Sequence, residues 1–576
     1  MLNAIAVKIS RYTAAVFSIP LFARAFAGFG IVACAACVHI APRPDVAEAP
    51  PTFYTVTAEI ALSRHQPRVA AQQYAAVADN SRDVDLLQRA LAVAADSLQP
   101  SLAFRIATHW IDVDPASVEA HRAAAKAALD LFKIDQSTAY YRVVLASSPR
   151  GTEAELATLE SELQTTDNVH GARQLADRLA GYFPASAAAL RVQAFAALRA
   201  DDPAAAVRSF NAVLAAQGTA AASRELTQGL WRARILAGDV DEPLAQAQAL
   251  VERDPAPANR LDYALLLLAA QQNAAARTQL MILTQDPQAA PSALHLLGLV
   301  DFQEGKLDEA SERFAALMIT GKFLDDALYY LGLIAERHQD FERALRLYAQ
   351  VEDGDNSLSA LLHAATILRA HGAAPQADEL LDRLVEEAPL RAPEILAARA
   401  RIYSDAGDSA EAAAVLDGGR LQYPDSVELQ YAAASLAEET GHVSQALGEL
   451  RAVWKLRPTD PAALNAYGYT LADHDQHLGL ARDLIEQAYA AAPKNAAILD
   501  SLGWVLFRQG RGDQALAYLQ AAYADDRGGD IAAHLGEVLW HLGRRSDADR
   551  LWSDASRTDA DNPLLKATRE RLHASN

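Results

Sequence analysis

The chain has 576 residues, 51% of them apolar and only 7% aromatic, with 52 Lys and Arg against 73 Asp and Glu for a formal net charge of −21. The acidic charge is spread rather than clustered, which disfavours nucleic acid as a partner, because phosphate neutralisation needs grouped Lys and Arg. The two cysteines, Cys34 and Cys37, both lie near the start, so the rest of the chain has neither a disulfide framework nor a cysteine-ligated metal available to it.

The first segment reads as an address. Lys8, Arg11 and Arg24 are its only charges before Arg43, and an apolar run, Ala25 to Ala33, precedes Cys34. A positive region, an apolar region and small residues at a cleavage point make a secretory signal over residues 1–33. The run Ile31-Val32-Ala33-Cys34 resembles a bacterial lipobox, which implies a lipidated Cys34, with Cys37 as the alternative. The competing reading is an ordinary cleaved signal with incidental cysteines. Ala35, rather than Asp, follows Cys34; by resemblance to lipoprotein sorting, this implies a lipoprotein of the outer membrane facing the periplasm. Residues 34–52, rich in Pro and Ala, read as an extended tether.

From residue 53 onward the pattern is helical. Ala276, Ala310, Ala344, Ala377, Ala412, Ala446, Ala481, Ala515 and Ala548 recur every 33 to 35 residues. Glycines precede many of them by five (Gly305, Gly372, Gly407, Gly441, Gly510, Gly543), and prolines close units at Pro255, Pro389, Pro424, Pro458 and Pro493. Glycine permits a left-handed turn between paired helices, proline ends a helix, and alanine lets two backbones approach. A second small-residue series, Gly298, Gly332, Gly468, Gly503 and Gly536, sits in the first helix of its unit. A fixed period in this range marks stacked helical repeats.

The segment Leu499 to Ala522, with Leu502-Gly503, Leu506, Ala515, Leu519 and Ala522, resembles the tetratricopeptide repeat, as do Leu297-Gly298 with Ala310 and Phe314, and Leu331-Gly332 with Ala344 and Tyr348. The resemblance implies an all-α, right-handed superhelical solenoid of about 15 helix-turn-helix repeats. Residues 53–220 match as degenerate units, with fragments such as Ala70 and Tyr74 or Ala172 and Pro184. Residues 221–562 form the regular solenoid, and residues 563–576 a capping helix. A break near Gly218–Ala222 is a candidate separation between two solenoid segments.

No HExxH, P-loop, GxSxG or dinucleotide fingerprint is present, and neither a catalytic residue nor a cofactor is expected. Asp473-His474-Asp475-Gln476-His477 falls at an interhelix turn and reads as a solvated turn rather than a metal site. Arg511-Gly512-Asp513 falls at the next turn. The candidate peptide groove is Asn465, Tyr469, Asp500, Trp504, Phe507, Glu537 and Trp540, since aromatics with interspersed amide and carboxylate groups suit a peptide. The competing reading packs Trp504, Phe507 and Trp540 between helices.

The lipobox, the tether, the weak early units beginning AEIALSRHQPRVAAQQYAAVA and the stretch LNAYGYTLAD…LDSLGWVLFRQG resemble proteobacterial outer-membrane repeat lipoproteins. These bind a periplasmic carboxyl-terminal processing protease and present peptidoglycan hydrolases to it. The resemblance implies a non-catalytic adaptor anchored to the membrane by its lipid. The alternative is a repeat lipoprotein that assists assembly of a secretin or polysaccharide-export complex.

Overall fold

The computed structural model describes residues 51–218, 223–352, 354–559 and 562–574. These form 31 helices and no strand, arranged in sequence as fifteen antiparallel pairs and a single terminal helix, Pro563–Ala574. The protein is therefore an all-α solenoid of stacked helix pairs. Cys34, Cys37, the signal, most of the tether and the 219–222 break lie outside the described residues.

Local chemistry starts these helices at recurring points. Side chains of Asp83, Ser117, Ser186, Ser223, Ser426, Asp460 and Asn495 accept from backbone N–H groups of the following first turn, satisfying donors that no intrahelical carbonyl can reach. Pro67, Pro100, Pro203, Pro257 and Pro461 occupy first-turn positions, where the missing N–H costs nothing.

The two helices of a pair then turn on one left-handed residue. Gly305, Gly372, Gly407, Gly441, Gly510 and Gly543 all have positive φ, between 74° and 89°. The same place is held by His65, Leu98, Asp201, Gln271 and Gln339, with φ between 52° and 59°. In each of these units the residue five later is an alanine, from Ala70 to Ala548, and each is buried. Phe132 turns likewise, five before the buried Ser137. Four of the five weakly matching early pairs are thus built on the same turn as the regular ones, while the pair Thr152–Thr165 and Val169–Tyr182 turns without a left-handed residue. The pair ending at Ala491 departs from this pattern: Asp475 and His477 both have positive φ, and Ala481 follows six and four residues later.

The glycines inside first helices do a different job. A Cβ at Gly298 would stand 2.7 Å from the Phe314 ring, one at Gly468 2.7 Å from Ile485, and one at Gly503 2.5 Å from Leu519. Gly332 faces Tyr348 and Gly536 faces Trp552 in the same way. Phe314, Tyr348 and Trp552 are wholly buried; truncating such a side chain costs about 3–5 kcal/mol. Each glycine makes room for the large residue of the partner helix, while Ala310, Ala344, Ala481, Ala515 and Ala548, all at 0% exposure, bring the second helix close.

The chain divides into two compact units. One runs from Ile134 to Asp408, and its core centres on Phe314, Tyr330 and Tyr348. The other joins the helices before Ile134 with Ser409 onward. Its largest core cluster runs from Ala434 to Leu572. Within this second unit, Thr459 Oγ1 donates to the Phe132 carbonyl at 2.9 Å. The Arg457 guanidinium lies 5.0 Å from the Phe132 ring, and that of Arg68 lies 4.9 Å from Tyr423. The terminal helix seals the last repeat through buried Leu565 and Leu572.

Candidate protein-binding groove

Four first helices, Val427–Glu439, Pro461–Asp473, Ala496–Arg508 and Gly529–His541, follow one another in the last four repeats. The repeat places equivalent residues on one face of each. Gln430, Asn465 and Asp500 share a register at intervals of 35, Tyr469 and Trp504 share the next helical turn, and Asp473 and Arg508 the turn after that.

The last of these helices and the terminal helix enclose a cavity lined by Asp473, Trp504, Phe507, Arg508, His534, Glu537, His541, Leu564, Thr568 and Arg571. Its wall is a stacked, hydrogen-bonded group. The Trp504 indole lies on the His534 ring at 4.2 Å and 24°, and its Nε1 donates to Asp473 Oδ1 at 3.1 Å. His534 Nδ1 pairs with Asp500 Oδ2 at 2.8 Å. Arg508 donates to the Asp473 carbonyl at 2.8 Å and pairs with Asp475, and Phe507 meets His541 edge-on at 5.2 Å. Arg571, reaching over from the terminal helix, pairs with Glu537 at 2.5 Å.

Burial and charge act against each other here. Removal from water by itself lowers the His534 pKa, but the Asp500 charge and hydrogen bond, helped by Asp473 and Asp530, outweigh it and hold the ring above its ordinary value. Burial raises the Tyr469 phenol well above its usual range. It also raises the carboxyls of Glu438 and Asp530, against the pull of Thr470 on the first and of Asn562 on the second. Gln430 Oε1, Asn465 Oδ1, Asp500 Oδ1 and His534 Nε2 are buried with no hydrogen-bond partner among the described residues.

Of the residues picked from sequence, Trp504, Phe507 and Glu537 line the cavity. Asp500 stands behind His534, and the Tyr469 ring lies 5.9 Å from the same histidine. Asn465 shares their face half-buried. Trp540 sits apart from the cavity wall: its ring packs on Trp552 at 5.7 Å and on His573 of the terminal helix at 4.9 Å, so it joins the last repeat to its cap. His534, Arg508, His541 and the terminal-helix residues were not singled out. His534 carried a usable signal, since a histidine stands 34 residues after Asp500, one repeat on. Asp473 to His477 form an interhelix turn, and no group of His, Cys, Asp or Glu among the described residues is arranged to hold a metal ion.

The tetratricopeptide-repeat sequence family matches residues 295–359, 476–530 and 501–562. A TPR repeat-containing protein of Pseudomonas aeruginosa is 30% identical over 488 residues, covering 84% of this chain and 82% of the relative. The chain belongs to the tetratricopeptide-repeat family. Among solved structures, yeast Tom70 is similar over 90% of this chain and 99% of its own at 13% identity, with a TM-score of 0.36. A chain of the APC/C hetero-tetramer Cut9–Hcn1 is similar over 91% of this chain and 96% of its own at 12% identity, with a TM-score of 0.31. Tetratricopeptide repeats are protein-interaction scaffolds in general, and the groove above offers such a scaffold a surface for a protein or peptide.

Proposed function

We propose that this protein is a non-catalytic adaptor of the outer membrane, tethered through lipidated Cys34, that recruits a periplasmic processing protease and presents cell-wall hydrolases to it. The observation that carries the binding role is the groove of the last three repeats and the terminal helix, where Trp504 stacks on His534 with Phe507 beside it and polar groups at the edge. Aromatic anchors beside ordered polar groups favour peptide recognition. The lipobox-like run before Cys34 and the Pro/Ala tether support the membrane placement, and the helix pairs that make up the described residues support a scaffold role.

Affinity capture from envelope extracts tests the reading. The full chain retains a processing protease together with wall hydrolases, and Trp504→Ala weakens that capture. Recovery of secretin or polysaccharide-export components instead would replace the proposed client, and substrate turnover by the purified chain alone would overturn the non-catalytic role. Cys34→Ser releases the protein from membranes; undiminished membrane retention would refute the anchor.

A further inference from the structure

The two ends of the array are finished differently. At the far end the terminal helix Pro563–Ala574 covers the last repeat with buried Leu565 and Leu572, as a solenoid requires. At the near end the first helix, Pro51–Ser63, packs on Pro67–Ala78 and buries Ala58 and Ala61, while its other side stands open. Phe53, Val56 and Ile60 are 52%, 57% and 44% exposed. Spaced by three and four, they form one apolar stripe along the helix.

The rest of the helix lets that stripe leave water. Glu59 is its one charged residue, and it is tied to Arg89 of the second pair at 3.0 Å and to the Tyr74 hydroxyl. The hydroxyls of Thr55, Thr57 and Ser63 donate to carbonyls of their own helix, those of Thr52, Phe53 and Ile60, at 3.1, 2.9 and 2.8 Å. Removing water therefore leaves these donors paired. Arg64, exposed, follows the helix directly.

The size of the face decides what covers it. A helix of this length is about 20 Å long and about 10 Å wide, so its open side offers about 200 Å², well below the roughly 800 Å² per partner of a stable protein interface. A second copy of the chain meeting this face alone would be held weakly. A bilayer needs less, because a covalent anchor already supplies proximity and each apolar side chain that enters the headgroup region adds to it. Residues 35–50 join Cys34 to this helix, and a segment of that length reaches at most about 55 Å, so a lipid on Cys34 keeps the helix beside the membrane.

We infer that Pro51–Ser63 is a membrane-docking helix: Phe53, Val56 and Ile60 enter the headgroup boundary of the bilayer that holds Cys34, and Arg64 meets anionic headgroups. The lipid holds the chain, and this helix fixes how its first repeat faces the bilayer. The inference rests on the membrane anchor of the adaptor reading and not on its client.

The test uses the full chain, acylated at Cys34 and inserted by its lipid into preformed vesicles of three parts phosphatidylethanolamine to one part phosphatidylglycerol. In a Cys37→Ser background one thiol is introduced by Val56→Cys or, as a control in the other compact unit, by Ile319→Cys, a site 89% exposed. Each is labelled with the fluorophore nitrobenzoxadiazole. The Val56→Cys label is quenched by nitroxide lipids, and aqueous dithionite bleaches it about threefold or more slowly than the Ile319→Cys label. Adding Ile60→Glu abolishes both effects; at an exposed position it leaves the thermal melt unchanged. Equal bleaching of the two labels overturns the inference, as does full protection in the Ile60→Glu chain. Protection of the Val56→Cys label without quenching by nitroxide lipid marks cover by a second copy or by residues before Pro51, and also overturns it. Mass spectrometry separates the two readings. A chain without acyl groups on Cys34 removes the anchor and this inference together, whereas an acylated chain with an open Val56→Cys label removes this inference alone.

Discussion

Trp504 shows how single side chains in this protein belong to both the fold and the groove. Its ring stacks on His534, its Nε1 holds Asp473, and one face still borders the cavity. The sequence marked Trp504 because an aromatic recurred beside the repeat glycine, but it could not show the partner, which comes from the next repeat. The small residues were more legible. Gly298, Gly503 and Ala515 are demanded by contacts that recur in several units at the repeat spacing, so spacing alone exposes them. Trp540 has the register of Phe507 yet faces the terminal helix, a difference that depends on where the array ends. The His534–Asp500 pair yields a pH prediction. Folding raises the histidine pKa, so the pair adds stability that is fully present below the unfolded value of about 6.5 and is lost as pH rises through the higher folded value. Asp530 and Glu438, also raised on folding, carry the same sign. Thermal melting followed by tryptophan fluorescence shifts to lower temperature as pH rises from about 6. His534→Gln flattens that dependence, and an unchanged slope in the variant would exclude this pair as its source.

At the level of the helix pair, the left-handed turn residue is the recurring device. Where it is glycine the sequence announces the repeat. Where it is His65, Leu98 or Asp201 the same geometry is hidden, which helps make the early units read as fragments, whereas the unit turning on Gln339 stays legible through Gly332 and Ala344. A side chain in this conformation costs about 1–2 kcal/mol relative to glycine. Gln339→Gly therefore stabilises its unit by about 1 kcal/mol, and Gly510→Ala destabilises its own by a similar amount. Paired denaturant titrations read both, and the idea fails if the two changes move the midpoint in the same direction. The gain at Gln339 is partly offset because glycine also frees the unfolded chain.

Across the whole molecule, each pair rests mainly on its neighbours, so stability is approximately a sum of local terms. Ala515 is wholly buried against the helix that carries Gly503. Ala515→Trp forces that pair apart and lowers amide protection from about Pro461 to Ala574, while helices such as Leu324–Arg337 in the other compact unit keep theirs. Uniform loss of protection along the chain would contradict a nearest-neighbour architecture. The period made the number of units readable in advance, because each unit repeats one packing problem. The two compact units were not readable, since their limits at Lys133 and Asp408 fall within helix pairs and carry no change in pattern.

The contact between Thr459 and the Phe132 carbonyl spans 327 residues of chain. Helix pairs close short loops and form quickly, whereas joining segments this far apart carries an entropy cost that local contacts do not share. Refolding of the protein thus ends on a late docking step, after the repeats on either side are built, and a chain made from its N-terminus onward holds its first helix pairs unclasped until the thirteenth has emerged.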